Sequence, residues 1–193
     1  MRARTLIPGT LAAVLLALTG CGTEGGAADT TETLPKEPTA SAPAAAPSGD
    51  GGKSDSTSVP AALKFTGTTV EGKPFDATSL AGKPTVLWFW APWCPKCRAQ
   101  AAETAKVAAE YAGRAHVVGV AGLDETAAMQ KFVADTGTSD FTHLADENGD
   151  VWKRFEVTEQ SRYVILDKNG ETAYEGVLPG GKGLADKVAG LAG

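Results

Sequence analysis

The stretch Val86-Leu87-Trp88-Phe89-Trp90-Ala91-Pro92-Trp93-Cys94-Pro95-Lys96-Cys97-Arg98 constrains the chain more than any other. Its first five residues are large or β-branched without a polar break, the pattern of a central strand buried on both faces. The strand must stop at Ala91-Pro92, because proline has no N–H to give to a ladder. From Pro95 to about Tyr111 the chain is rich in alanine and reads as a helix. Proline is pre-set for the first helical position, which puts Cys94 at the N-cap.

That placement has chemical consequences. Two cysteines three apart at a helix start share a face, with their sulfurs in bonding reach. Cys94 also meets the unsatisfied N–H groups and positive dipole end of the helix, which favour a thiolate. The arrangement suits thiol–disulfide exchange, with Cys94 as the nucleophile. Two other readings compete with it. A zinc site needs four ligands, and only His116 and His143 remain as donors, both in separate elements beyond the helix. A purely structural disulfide would restrict the unfolded chain little, because the closed loop is so short. Trp88 and Trp90 alternate with Leu87 and Phe89 as core, whereas Trp93 beside the nucleophile is expected to cover one side of the sulfurs and meet a partner. Lys96 reads equally as a cation favouring the thiolate and as a solvated surface lysine.

The 193 residues divide into three parts. Arg2 and Arg4 precede the apolar run Leu11 to Leu18, which is too short to span a bilayer and reads as a leader over residues 1–20. Leu18-Thr19-Gly20-Cys21 resembles a bacterial lipobox, which implies that Cys21 is lipidated and becomes the mature N-terminus. An ordinary cleaved leader with an incidental cysteine is the alternative. Residues 21–58 then carry Gly, Ala, Thr, Pro and Ser with almost nothing large and apolar, so they are expected to form a disordered tether. A coil of that length spans roughly 30 Å. Its acids outnumber Lys36 and Lys53, and no basic cluster anywhere suggests nucleic acid.

Residues 59–193 suffice for one domain. Leu63 to Asp76 reads as a short hairpin turning at Glu71-Gly72-Lys73. After the Cys-x-x-Cys helix come a strand at His116–Ala121, a helix capped by Asp124 and ending at Gly137, and a short extended piece from Phe141 to Asp146. A helical stretch carries Val151, Trp152 and Phe155. Arg162–Asp167 is a strand, Lys168-Asn169-Gly170 a hairpin turn, and Leu184–Leu191 a final helix. Alternating strands and helices closed by a hairpin and a helix define an α/β sandwich with a mixed central sheet.

The domain resembles thioredoxin-fold proteins of the membrane-anchored TlpA/ResA/DsbE-like branch, related to the redoxins and peroxiredoxins. The resemblance rests on Phe65-Thr66-Gly67 with Gly72-Lys73-Pro74, on Gly82-Lys83-Pro84 leading into Phe89 to Arg98, on Val118-Gly119-Val120, and on Val164 to Gly170. It implies a thioredoxin-like sandwich with an N-terminal β-hairpin extension. It also implies a redox-active disulfide in which Cys94 attacks and Cys97 resolves, with Trp93, Pro95, Gln160 and Ser161 facing the substrate. No cofactor and no metal are implied; the partners are protein thiols or disulfides and a membrane redox protein, met by a monomer on the outer face of the cytoplasmic membrane. A peroxidase-like redoxin and a redox-inactive binding module are the alternatives.

The chain departs from the family in two places. Arg98-Ala99-Gln100-Ala101-Ala102 lacks the glutamate and proline usual after the second cysteine. Ser161 stands where the family carries a cis-proline opposite the disulfide. Its N–H and hydroxyl are both expected near the sulfurs.

Overall fold

The computed structural model describes residues 58–193. The leader, Cys21 and the tether as far as residue 57 lie outside the described residues. Seven strands and four α-helices follow in chain order: β1 (Thr66–Thr68), β2 (Pro74–Asp76), β3 (Thr85–Trp90), α1 (Pro95–Glu110), β4 (His116–Ala121), α2 (Thr126–Thr136), β5 (Thr142–Ala145), α3 (Asp150–Arg154), β6 (Arg162–Leu166), β7 (Thr172–Val177) and α4 (Leu184–Ala189). The main sheet has the order β5-β4-β3-β6-β7. β3, β4 and β5 are parallel, while β6 and β7 run antiparallel. The expected mixed sheet is present, and the Phe141–Asp146 piece is its edge strand.

β3 is central because its sequence lets it be: all six of its residues are buried. Side-chain alternation sends Val86, Trp88 and Trp90 to the face covered by α1, α2 and α4, with Phe132, Ile165, Leu184 and Val188. Leu87 and Phe89 go to the other face, with Val151 and Trp152 of α3 and with Leu63 and Leu80 from the segments preceding the sheet. Burial of this order contributes about 1.5–3 kcal/mol per large apolar side chain. It fixes the strand that ends four residues before Cys94.

The β1–β2 hairpin extends the sheet rather than standing apart. Thr69 bridges to Leu144, and the Val70 N–H donates to the His143 carbonyl at 2.9 Å. The unpaired edge of β5 is thereby partly covered. At Gly119 space alone dictates glycine: a Cβ there would collide with the His143 ring and the Trp90 indole nitrogen. One expected detail is corrected. Asp124 does not cap α2; its carboxylate accepts from the Glu125 N–H, while Glu147 accepts from both the N–H and the hydroxyl of Thr126 at 2.7 Å. The cap comes from a residue 21 positions away, across the β5–α3 turn.

Candidate active site

Cys94 is the N-cap of α1, in extended backbone conformation, and its Sγ accepts the Cys97 N–H at 3.1 Å. A cysteine sulfur thus does the work usually done by a serine or aspartate oxygen. Pro95 opens the helix and is exposed. Cys94 and Cys97 are paired as a disulfide with their Cα atoms 5.3 Å apart. They are nearly closed to solvent, at 2% and 0% exposure, so a partner can approach only along a narrow line.

What covers them is Ser161. Its hydroxyl lies 3.2 Å from Cys94 Sγ and 3.3 Å from Cys97 Sγ, and the residue is fully buried. Its backbone is left-handed, with φ of 71°, an uncommon conformation for a residue with a side chain. The expectation for its N–H is corrected: that group donates to the Phe89 carbonyl at 2.9 Å and not to a sulfur. The hydroxyl is therefore the one group Ser161 offers the dithiol. Gln160, next to it, is half-exposed. Among the described residues no carboxylate or histidine hydrogen-bonds either sulfur, and no cluster of His, Cys, Asp and Glu has metal-binding geometry.

Behind Ser161 lies a residue that sequence reasoning noted only as a departure from a family pattern. Gln100 is 1% exposed, on the same face of α1 as Cys97. Its Nε2 donates to the carbonyls of Ser161 (2.9 Å) and Leu178 (3.0 Å), and its Oε1 accepts from the Trp88 indole at 2.9 Å. One turn on, the Thr104 hydroxyl donates to the Gln100 carbonyl at 2.9 Å. That hydroxyl therefore accepts from Tyr163, whose oxygen lies 2.7 Å away. Burial pushes the Tyr163 phenol up, so it stays a neutral donor. The only available signal for Gln100 was its spacing, three residues after Cys97 on the buried face.

Trp93 turns outward. It is 55% exposed and Leu123 is 53% exposed, and they are the exposed large apolar residues of the described structure. The Trp93 indole N–H reaches the Leu123 carbonyl at 3.3 Å, so the two sit side by side next to Cys94. Trp93 and Pro92 also line a groove of about 250 Å³ with Arg98, Lys131 and Phe132. A larger cavity, about 460 Å³ between Ala61, Arg154, Phe155 and Glu175, includes neither cysteine. Lys96 is exposed.

A mixed five-stranded sheet, with a Cys-x-x-Cys pair opening the helix after its central strand, is a thioredoxin-like fold. Solved structures agree. One is a Mycobacterium tuberculosis protein described as DsbF in mixed oxidised and reduced forms. It is 44% identical, with a TM-score of 0.65, over 69% of this chain and 99% of that one. A secreted Mycobacterium tuberculosis disulfide oxidoreductase, described as homologous to the Escherichia coli DsbE, is 38% identical with a TM-score of 0.62. There the match covers 67% of this chain and 98% of that one. The chain belongs to the AhpC/TSA family, which matches residues 60–175. Among curated proteins, the soluble secreted antigen MPT53 of Mycobacterium tuberculosis is 43% identical over 112 residues, 58% of this chain. The match spans 64% of that relative's length.

Proposed function

We propose that the protein is an extracytoplasmic thiol–disulfide oxidoreductase that exchanges disulfides with other proteins through Cys94-Pro95-Lys96-Cys97. The observation that carries this reading is the position of Cys94 Sγ. It accepts a backbone N–H at the start of α1 and lies beside the Ser161 hydroxyl, so two donors are in place for a thiolate. In the reducing direction the Cys94 thiolate attacks a partner disulfide, forming a mixed disulfide and expelling one partner thiolate. Cys97, as thiolate, then attacks Cys94 Sγ, which restores the Cys94–Cys97 bond and releases the second partner thiolate. Two electrons pass from the dithiol to the partner. The oxidising direction runs the same steps backwards. No cofactor enters either sequence.

The exposed Trp93–Leu123 pair offers a partner apolar surface next to the sulfur it must reach, with Pro95 and Gln160 on the neighbouring rim. Aromatic residues of this kind are enriched where protein partners anchor. An extracytoplasmic setting is supported by relatives described as secreted and by the leader-like sequence of residues 1–20. Lipidation at Cys21, with residues 22–58 as tether, is part of the same proposal. Detergent-phase partitioning checks it: Cys21→Ser should lose the anchor and accumulate as precursor, and normal membrane retention of that variant would remove the anchor from the reading.

Trapping tests the exchange itself. Cys97→Ser should accumulate mixed disulfides with partner proteins through Cys94, while Cys94→Ser should accumulate none. Trapping through Cys97 would reverse the roles of the two cysteines, and peroxide consumption without insulin reduction by the native pair would overturn the proposal in favour of a peroxidase.

A further inference from the structure

The Ser161 hydroxyl can serve both sulfurs only while its backbone holds the left-handed conformation at φ of 71°. A serine has no intrinsic preference for that region. Two hydrogen bonds impose it here. The Ser161 N–H is tied to Phe89 on β3, and the Ser161 carbonyl is tied to Gln100 on α1. The first is a backbone bond at the end of the β3–β6 ladder, one residue out of register, since Phe89 stands opposite Arg162. The second is a side-chain contact, and its other connections are fully committed. One Nε2 hydrogen serves Ser161, the other serves Leu178, and Oε1 is occupied by Trp88.

We propose that Gln100 is a positioning residue for the dithiol: its amide, braced by Trp88, clamps the carbonyls of Ser161 and Leu178 and so aims the Ser161 hydroxyl at Cys94 and Cys97, which stabilises the Cys94 thiolate. The inference rests on Cys94 being the reactive sulfur. The chemistry demands an amide at this point. Two buried carbonyls face the same side-chain end, and they need two donors on one atom together with an acceptor for an indole N–H. A methionine supplies none of these. A carboxylate keeps the acceptor for Trp88 but sets an oxygen against two carbonyl oxygens.

A double-mutant cycle on the full chain, in its reduced form, tests the clamp. Thiolate pKa is read from the pH dependence of Cys94 alkylation by iodoacetamide, and the reduction potential from equilibrium with glutathione. Ser161→Ala should slow alkylation near neutral pH by roughly tenfold, as expected when a thiolate loses a charge-assisted hydrogen bond. Gln100→Met should do nearly the same, and Gln100→Met with Ser161→Ala together should do no more than Ser161→Ala alone. Near-UV circular dichroism of the disulfide form reports whether the core is kept. If Gln100→Met does not fold, Gln100→Leu, which is uncharged and also lacks the amide, carries the same comparison. Effects that add in the double variant, or a native Cys94 pKa in the Gln100 variants while Ser161→Ala shifts it, would overturn the clamp. A native pair inert to glutathione would instead overturn the functional reading, because alkylation is measured without any exchange partner.

Discussion

Ser161 is where this chain's chemistry is most its own. A donor placed against both sulfurs favours the form that carries negative charge, which is the reduced one, so the disulfide is made easier to reduce. Replacing the residue by alanine removes the hydroxyl and leaves the N–H on Phe89. Ser161→Ala is therefore expected to lower the reduction potential by about 30–60 mV, the equivalent of one hydrogen bond to a charged group. Equilibration with a glutathione buffer measures this, and an unchanged potential would detach Ser161 from redox tuning. At this scale the sequence was informative wherever chemistry was carried by residue type and local spacing. Cys94, Cys97 and the N-cap were legible because Pro95 fixes the helix start. Gln100 was not, because what it does depends on Ser161 and Leu178, 61 and 78 positions away.

Among the elements, β3 was the most legible, since an unbroken apolar run bounded by proline has few alternatives. Its neighbours were harder to read. β4 carries Gly119 opposite Trp88, and in sequence a glycine in a strand signals only weakness or a bulge. Here it makes room for the Trp90–His143 hydrogen bond, 3.2 Å from indole nitrogen to Nδ1, which passes where a side chain would be. Gly119→Ala should accordingly destabilise the domain by about 1–3 kcal/mol, the usual range for overpacking a dense core. Urea unfolding followed by tryptophan fluorescence would show a lower midpoint at unchanged slope. An unchanged midpoint would mean that the His143 ring has space to retreat. The start of α2 illustrates the complementary limit. Asp124 satisfies the local rule for a cap, yet Glu147 wins because the β5–α3 turn delivers a carboxylate to the same N–H.

For the molecule as a whole, a mixed sheet followed from the alternation of strands and helices, but the largest contribution to its acid sensitivity comes from one buried ring. His143 is fully buried on β5, the edge strand. Its Nδ1 faces the Trp90 N–H, so the ring proton sits on Nε2, 2.8 Å from the Thr138 carbonyl. Both nitrogens are thus satisfied in the neutral form, and protonation would put a second hydrogen against the Trp90 donor. Burial pushes the His143 pKa down to about 4, against the smaller upward effects of the Thr138 carbonyl and Glu71. An unfolded chain titrates this ring near 6.5. Between these values the unfolded state binds more protons, so stability is complete above about pH 6.5 and is lost as pH falls toward 4. The loss attributable to His143 is on the order of 3 kcal/mol across that window. His116 adds in the same direction, since burial and Lys83 also lower its pKa. The depressed carboxyls of Asp76, Asp135, Glu147 and Asp167 lose their contributions further down, as pH falls through their folded values. Urea midpoints of the disulfide form at pH 7.5, 5.5 and 4.5 should therefore fall steadily in the native chain. They should fall much less in His143→Gln, whose side chain can still accept from Trp90 and does not titrate. Equal slopes in the two proteins would transfer the acid sensitivity to His116 and the carboxylates.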